Sequence, residues 1–582
     1  MFPSILTVGT GLAVLAHTSL AQTVDWNSIE PSTSLNFTDC YGGARKCARL
    51  TVPLDWLTPD LNYSVEVHLA VVALPAVVSE DDPSFGGTII TNPGGPGGSG
   101  VNSVGGIAAE AMQLTADIYG EKHYEILSFD PRGVGESVPN ADCWEDILGR
   151  YMFQRELIGL GNFTATDETF ARYIAKQKQF AERCKLTGDQ YEHDIRNYMS
   201  TTTVARDMLH IVDKLDELRN GLREESDKSR DLPRIQYWGF SYGTTLGNYF
   251  ASMFPGRVER MLLEGVVNVE DWAAGVDRGI VDTPKAYDHI WRACFDNKDQ
   301  CALYKPQDTS ADGIRLHFEQ WLEGLDQNPE VYVDGVIDQV ITSWQIKQYI
   351  FSPVLYLPRD VLDSTMQVFH EMMNGDFSRV APIFTPPGAG AKCPLVDNSY
   401  NRPWNSDATT AVICGDRPDQ RNFTFTDLKE VVAGFRELSP DFGDLWVRHS
   451  VPCINWPYRP ADRFAGPFGT PKPDSSRVEG KPTAPILFSG SEIDPVTPLS
   501  AARKMSKLHP ESGVLVMEGS GHSNLHDPSP CRKRYISQYW AKGKMPPEDL
   551  ICEMDCKPFH ECERLGSGQA GEDAVRGSSY FL

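Results

Sequence analysis

Arg234-Ile-Gln-Tyr-Trp-Gly-Phe-Ser-Tyr-Gly-Thr-Thr-Leu-Gly247 decides the reading of this chain. An apolar, β-like run enters a Gly-x-Ser-x-Gly turn, and an amphipathic helix leaves it with Leu246, Tyr249, Phe250 and Met253 on one face and Pro255 at its end. In so tight a strand-to-helix turn, a Cβ at Gly239 or Gly243 would strike the backbone folding back on itself. Ser241 is then held at the apex, with its hydroxyl projecting from the sheet edge. The helix behind it turns N–H groups and a partial positive charge toward any oxyanion that forms there.

The same pattern recurs on both sides of the turn. Ala48–Trp56 and Ser64–Leu74 alternate like an antiparallel pair of strands joined by a turn-rich segment. Gly87-Thr-Ile-Ile-Thr runs into Asn92-Pro-Gly-Gly-Pro-Gly-Gly-Ser-Gly100, and Tyr124–Phe129 runs into Asp130-Pro-Arg-Gly-Val-Gly-Glu-Ser137. Thr202–Leu218 carries Val204, Met208, Ile211, Leu215 and Leu218 at helical spacing, and Arg260–Val267 reads as one more strand. Strands alternating with helices predict an α/β fold with a mostly parallel central sheet, helices on both faces, and a ligand site at the carboxyl ends of the strands.

From about Glu270 this rhythm stops for some two hundred residues. The interval holds helical runs such as Ile314–Leu325 and a Pro/Gly-rich loop after Phe384, and the sheet pattern returns at Ala484–Gly490 and Gly513–Gly519. The interval is therefore predicted to be a large, mainly helical cap inserted into the fold. The expected organisation is a leader over 1–21, a first core part over 22–269, the cap over 270–480, a second core part over 481–545, and a cysteine-containing tail over 546–582.

The returning strands supply partners for Ser241. A serine hydroxyl needs a base, and that base needs an acid to hold its tautomer and stabilise its charged form. Asp494, in Asp-Pro-Val-Thr-Pro, lies just past one strand, and His522 just past the next. The order Ser, Asp, His is that of α/β-hydrolases. Glu492 is a rival acid without the Pro-x-Thr-Pro loop, and His526, one turn beyond His522, is expected to line or cap the site. The Gly-rich loop lets a backbone N–H approach a developing oxyanion unobstructed, and the Gly95 and Tyr242 amides are the nominated donors. It lacks the lysine of a phosphate-binding loop, and no H-E-x-x-H motif is present. A serine hydrolase with no metal or organic cofactor is expected.

The chain has 582 residues, 41% of them hydrophobic, and a formal net charge of −25. That length is ample for a large core plus an insertion, and the charge argues against nucleic-acid or anionic-membrane partners. Ile5–Ala16 followed by Ser-Leu-Ala21 reads as a cleaved secretory leader, and no later apolar run reaches membrane length. Sequons at Asn36, Asn62, Asn162 and Asn422 fit a secreted, extracellular glycoprotein. Thirteen cysteines fit an oxidising compartment. The expected disulfides are Cys40–Cys47 and Cys294–Cys301, then Cys143–Cys184 and Cys414–Cys453, with one thiol left over. Cys552, Cys556, Cys562 and His560 read as a disulfide-tied tail in preference to a zinc knot.

Together, Gly94-Gly-Pro-Gly-Gly-Ser-Gly100, Asp130–Ser137, Gly239–Gly247, Asp494–Pro498 and Gly521-His522 make the chain resemble the secreted tripeptidyl-aminopeptidase-like branch of the prolyl aminopeptidase group of α/β-hydrolases. The resemblance runs from about Ala48 to Trp540. It implies a cap after the sixth core strand, a Ser241-Asp494-His522 triad, and release of short amino-terminal units from a peptide through an acyl-enzyme. It also implies acidic cap residues that hold the substrate's free amine, for which Glu264, Asp271, Glu319 and Asp416 are candidates. Glu264 stands where an aspartate is common in the family. An esterase or lactonase acting on a small secreted metabolite uses the same triad, so a peptide and a small molecule both stay open as the substrate; a non-catalytic scaffold is disfavoured because the triad is intact. Oligomeric state is not legible.

Overall fold

A computed structural model describes residues 24–560 apart from 59–64, 145, 222–230, 335–336, 385–404, 472–483, 524, 526–528 and 556. The expected leader, the Asn62 sequon, His526, Cys556, Cys562 and the Gly-rich run after Phe384 lie outside the described residues.

Eight strands form the body of one sheet: β1 Arg45–Val52, β2 Val67–Leu74, β3 Phe85–Asn92, β4 His123–Phe129, β5 Ile235–Phe240, β6 Val258–Glu264, β7 Leu487–Ile493 and β8 Gly513–Ser520. Their spatial order is β1-β2-β4-β3-β5-β6-β7-β8. β1 pairs antiparallel with β2, and β2 antiparallel with β4, so the opening pair forms as expected. Every later pair in this body is parallel, with Ile90 opposite Tyr237 and Trp238 opposite Leu262 in the central strands. At the far edge Ile551–Cys552 adds to β8. The mostly parallel α/β sheet with helices on both faces is thus present.

These strands lack strict alternation because both faces are covered. On one side Ile90, Tyr237 and Leu263 pack under the helices Thr201–Asn220 and Tyr242–Met253. On the other, Ile89, Trp238 and Leu262 pack against Ala108–Ala116 and Pro530–Lys542. Burying an Ile or Leu fully is worth about 1.5–3 kcal/mol, and most of these central residues are wholly inaccessible. In the helix Thr201–Asn220, Val204, Met208, Ile211 and Leu215 face the core as the spacing predicts. Leu218 does not: it lies in the last turn, beyond the sheet edge, and is 51% exposed.

Between β6 and β7 lies the mainly helical insertion, including Thr283–Asn297, Ala311–Gln327, Pro358–Met373 and Phe425–Leu438. It has its own apolar core around Tyr287, Trp291, Phe318, Phe351 and Phe369. Phe163, Phe170 and Tyr173, from the first half of the chain, join this second core, so the helix Asp167–Gly188 packs against both layers.

All four expected disulfides are closed. A fifth joins Cys531 to Cys552, which ties the tail to the last core helix and removes Cys552 from any zinc set. No helix among the described residues is long and apolar enough to cross a membrane.

Candidate active site

β5 delivers Ser241 to the sheet edge with φ 53° and ψ −123°, a left-handed conformation that costs energy for any residue with a Cβ. The surroundings leave no alternative. An added Cβ at Gly239 would lie 2.4 Å from the Gly243 carbonyl oxygen, and one at Gly243 would lie 2.5 Å from that of Asn92. The Ser241 amide donates to the Glu264 carbonyl at the end of β6 (3.0 Å), and the Ser241 carbonyl accepts from the Thr244 amide (2.8 Å). The hydroxyl is half-buried and makes no hydrogen bond among the described residues.

His522 and Asp494 meet beside it. Asp494 is fully buried past the end of β7, and its Oδ2 and Oδ1 lie 2.9 and 3.1 Å from His522 Nδ1. A carboxylate oxygen accepts, so in this contact Nδ1 is the donor and Nε2 is the ring's other nitrogen. The loop Asp494–Pro498 fixes the carboxylate: the Val496 and Thr497 amides donate to Oδ1 (2.9 and 2.8 Å), and the Thr497 hydroxyl donates to Oδ2 (2.8 Å). Thr497 Oγ1 is also 3.0 Å from His522 Nδ1, so one hydroxyl touches both partners. The imidazole lies against Gly265, where an added Cβ would be 3.1 Å from Cε1. Gly265 directly follows the carbonyl that holds Ser241, so serine and histidine converge on the same strand end. Glu492, the rival acid, is exposed and accepts from the Gly519 amide instead (2.9 Å).

The Gly-rich loop presses onto this turn. An added Cβ on Gly94 would fall 2.6 Å from the Phe240 carbonyl, 2.8 Å from Ser241 Cβ and 3.2 Å from the Tyr242 nitrogen. Neither the Gly95 nor the Tyr242 amide donates a hydrogen bond among the described residues, which leaves both open to a ligand oxygen. The motif Asp130–Ser137 anchors the loop. Asp130 Oδ1 accepts from the Ser99 hydroxyl (2.7 Å) and the Val101 amide (2.9 Å), while Oδ2 accepts from the Glu136 amide (2.7 Å). Full burial pushes the Asp130 carboxyl up to about 6 despite these donors. Arg132 of the same motif makes a buried pair with Asp207.

The insertion roofs the site. Thr409 donates to the Pro96 carbonyl (2.6 Å). Trp272 packs 5.4 Å from the Tyr242 ring, and Tyr356 packs 5.1 Å from the imidazole. Of the four acids considered for an amine site, Glu264 is spoken for beneath the sheet, paired with Arg532 at 2.9 Å. Asp416 is buried behind Tyr242, accepting from the Thr201 amide and Trp272 Nε1 (both 2.9 Å), and Glu319 is bound to Arg315 (2.6 Å). Asp271 sits in the first turn of Val269–Ala274 beside Trp272. Besides Asp494, the acid that acts on Tyr356 is Asp277, held by Arg417 at 3.1 Å. It carries no motif, and only the folding of the insertion brings it there.

Residues 439–552, which hold Asp494 and His522, match the family model described as TAP-like protein. Over nearly the whole chain the sequence is similar to the tripeptidyl aminopeptidase of Streptomyces lividans, 25% identical with 94% of this chain and 90% of that one covered. These matches support a TAP-like α/β-hydrolase. The chain is also similar to the serine protease Hip1 of Mycobacterium tuberculosis, 24% identical with 93% of each chain covered. A third relative is the carboxylesterase B of Mycobacterium tuberculosis, 24% identical over 87% of this chain and 86% of that one. Together these similarities support an aminopeptidase-like serine hydrolase.

Proposed function

We propose that the chain is a secreted exopeptidase that releases short amino-terminal units from peptides through a Ser241-His522-Asp494 acyl-enzyme mechanism. The observation that carries this is the 2.9 Å bond between His522 Nδ1 and buried Asp494 at the strand end that also holds Ser241. In this reading Nε2 of His522 takes the Ser241 proton as Oγ attacks the scissile carbonyl. The Gly95 and Tyr242 amides receive the oxyanion, and His522 returns the proton to the leaving amine. Water then takes the place of the amine and releases the acyl group. No cofactor enters any step.

Secretion is supported by the leader-like start and by five disulfides, which persist in oxidising compartments. Glycosylation is proposed at Asn36, Asn62, Asn162 and Asn422, and Asn36 and Asn422 are exposed. Similarity to a carboxylesterase favours a second reading, ester hydrolysis by the same triad.

The test is a panel of free-amine peptides, the same peptides acylated at the amine, and simple esters, run on wild type and Ser241→Ala. An exopeptidase loses the blocked peptides, whereas an esterase turns over only the esters. Activity of Ser241→Ala near that of wild type would refute the triad.

A further inference from the structure

Tyr356, Arg448 and His449 are each half-buried. The Tyr356 ring meets the His522 imidazole at 5.1 Å, and Tyr356 also acts electrostatically on Arg448, which places Arg448 near the candidate base.

Arg448 is the unusual member. Its one hydrogen bond among the described residues runs from Nε to His449 Nε2 (3.4 Å), which leaves both terminal amino groups without a protein acceptor there. The groups that act on it electrostatically are the phenols of Tyr356 and Tyr173, and no carboxylate is among them. Burial holds the guanidinium below its ordinary range, though an arginine stays charged at any working pH. His449 does not compensate it: burial first, then Arg448 and Arg417, push that imidazole well down, so it is neutral and serves as an acceptor that orients the guanidinium. The neighbouring Arg417, by contrast, has a counter-ion. It pairs with Asp277 (3.1 Å), donates to the His449 carbonyl (3.1 Å) and lies 5.2 Å from the Trp272 ring centre.

A half-buried guanidinium with no counter-ion among the described residues can take one from a ligand, and a planar fork of free N–H groups matches a carboxylate bidentately. We infer that Arg448 is a specificity site that binds a carboxylate of the substrate, supplied by an acidic side chain or by the free carboxyl terminus of a short peptide. This inference rests on the serine-peptidase reading above and names what its site selects.

The experiment compares kcat/KM for matched substrates on wild type, Arg448→Gln and Arg448→Lys. One pair differs by Glu against Gln within the peptide, and a second by a free against an amidated carboxyl terminus; a third is an ester with and without a carboxylate. Wild type is expected to prefer the carboxylate form in at least one pair by about ten- to a hundredfold, mainly through KM. Arg448→Gln should bring that ratio near one, and Arg448→Lys should keep part of it. The pair that responds identifies the source of the carboxylate. Equal rates for both members of every pair on wild type, or an undiminished preference in Arg448→Gln, overturns the inference. If peptides are not cleaved at all, the peptidase reading fails while the ester pair still reports on Arg448. Should Arg448→Gln not accumulate as folded protein, the wild-type ratios and Arg448→Lys decide: a wild-type preference that Arg448→Lys reduces supports the site, and one it leaves whole overturns it.

Discussion

Tyr356 of the insertion holds His522 of the core twice: its carbonyl accepts the His522 amide proton at 2.8 Å, and its ring stands nearly perpendicular to the imidazole at 5.1 Å. The position of the candidate base is thereby shared between two layers of the protein. A perpendicular aromatic contact is worth about 0.5–1.5 kcal/mol beyond its buried area. Tyr356→Ala keeps the carbonyl and removes the ring, so kcat should fall about three- to tenfold with Tyr356→Phe close to wild type. Unchanged kcat in Tyr356→Ala would show that the core alone orients His522.

Thr497 is the other support. Its hydroxyl donates to Asp494 and lies 3.0 Å from His522 Nδ1, so Thr497→Val removes a donor from a buried carboxylate while keeping the shape. A hydrogen bond to a charged group contributes about 1.5–3 kcal/mol. We expect kcat/KM to drop at least tenfold in Thr497→Val and to recover in Thr497→Ser. If Val and Ser behave alike, the two loop amides on Oδ1 suffice.

These supports mark where reading from sequence stops. The β-like runs, the turn around Ser241, and the acid and histidine after returning strands are local patterns, and so are legible. Cys40–Cys47 and Cys294–Cys301, each seven residues apart, follow from short spacing. Cys531–Cys552 was missed because several cysteines crowd the tail and only the pairing of Ile551–Cys552 with β8 selects the partner. Glu264 looked like a possible amine ligand, but its partner Arg532 is 268 residues away. Asp277, Arg448 and Tyr356 reach the site only through packing of the insertion, for which no motif exists.

Gly94 tests how closely the loop and the turn must fit. It has φ 103°, and an added Cβ would sit 2.6 Å from a backbone oxygen and 2.8 Å from Ser241 Cβ. Gly94→Ala must therefore move the loop away from the Tyr242 amide. Losing one oxyanion donor costs about a hundred- to a thousandfold in kcat, and that is the range expected. A fluorophosphonate probe should still label Ser241 in the folded variant, more slowly. Wild-type kcat in Gly94→Ala would remove Gly95 from the proposed oxyanion site.

His509 predicts how the fold responds to acid. Its Nε2 lies 2.9 Å from Asn248 Oδ1 on the helix behind Ser241, and burial pushes the imidazole from 6.5 down to about 4. Between those values the unfolded chain binds a proton that the native state refuses, so stability falls as pH drops from 6.5 and stops falling from this cause below about 4. A shift of that size corresponds to roughly 3 kcal/mol. His509→Gln keeps an N–H for Asn248 and does not titrate. Urea unfolding at pH 7 and pH 4.5 should show a smaller acid loss in His509→Gln than in wild type by about 2 kcal/mol, with the remainder set by the other buried groups. Equal losses in the two proteins would mean that His509 finds water or a counter-charge when protonated, and that the helix behind Ser241 is not acid-sensitive through this residue.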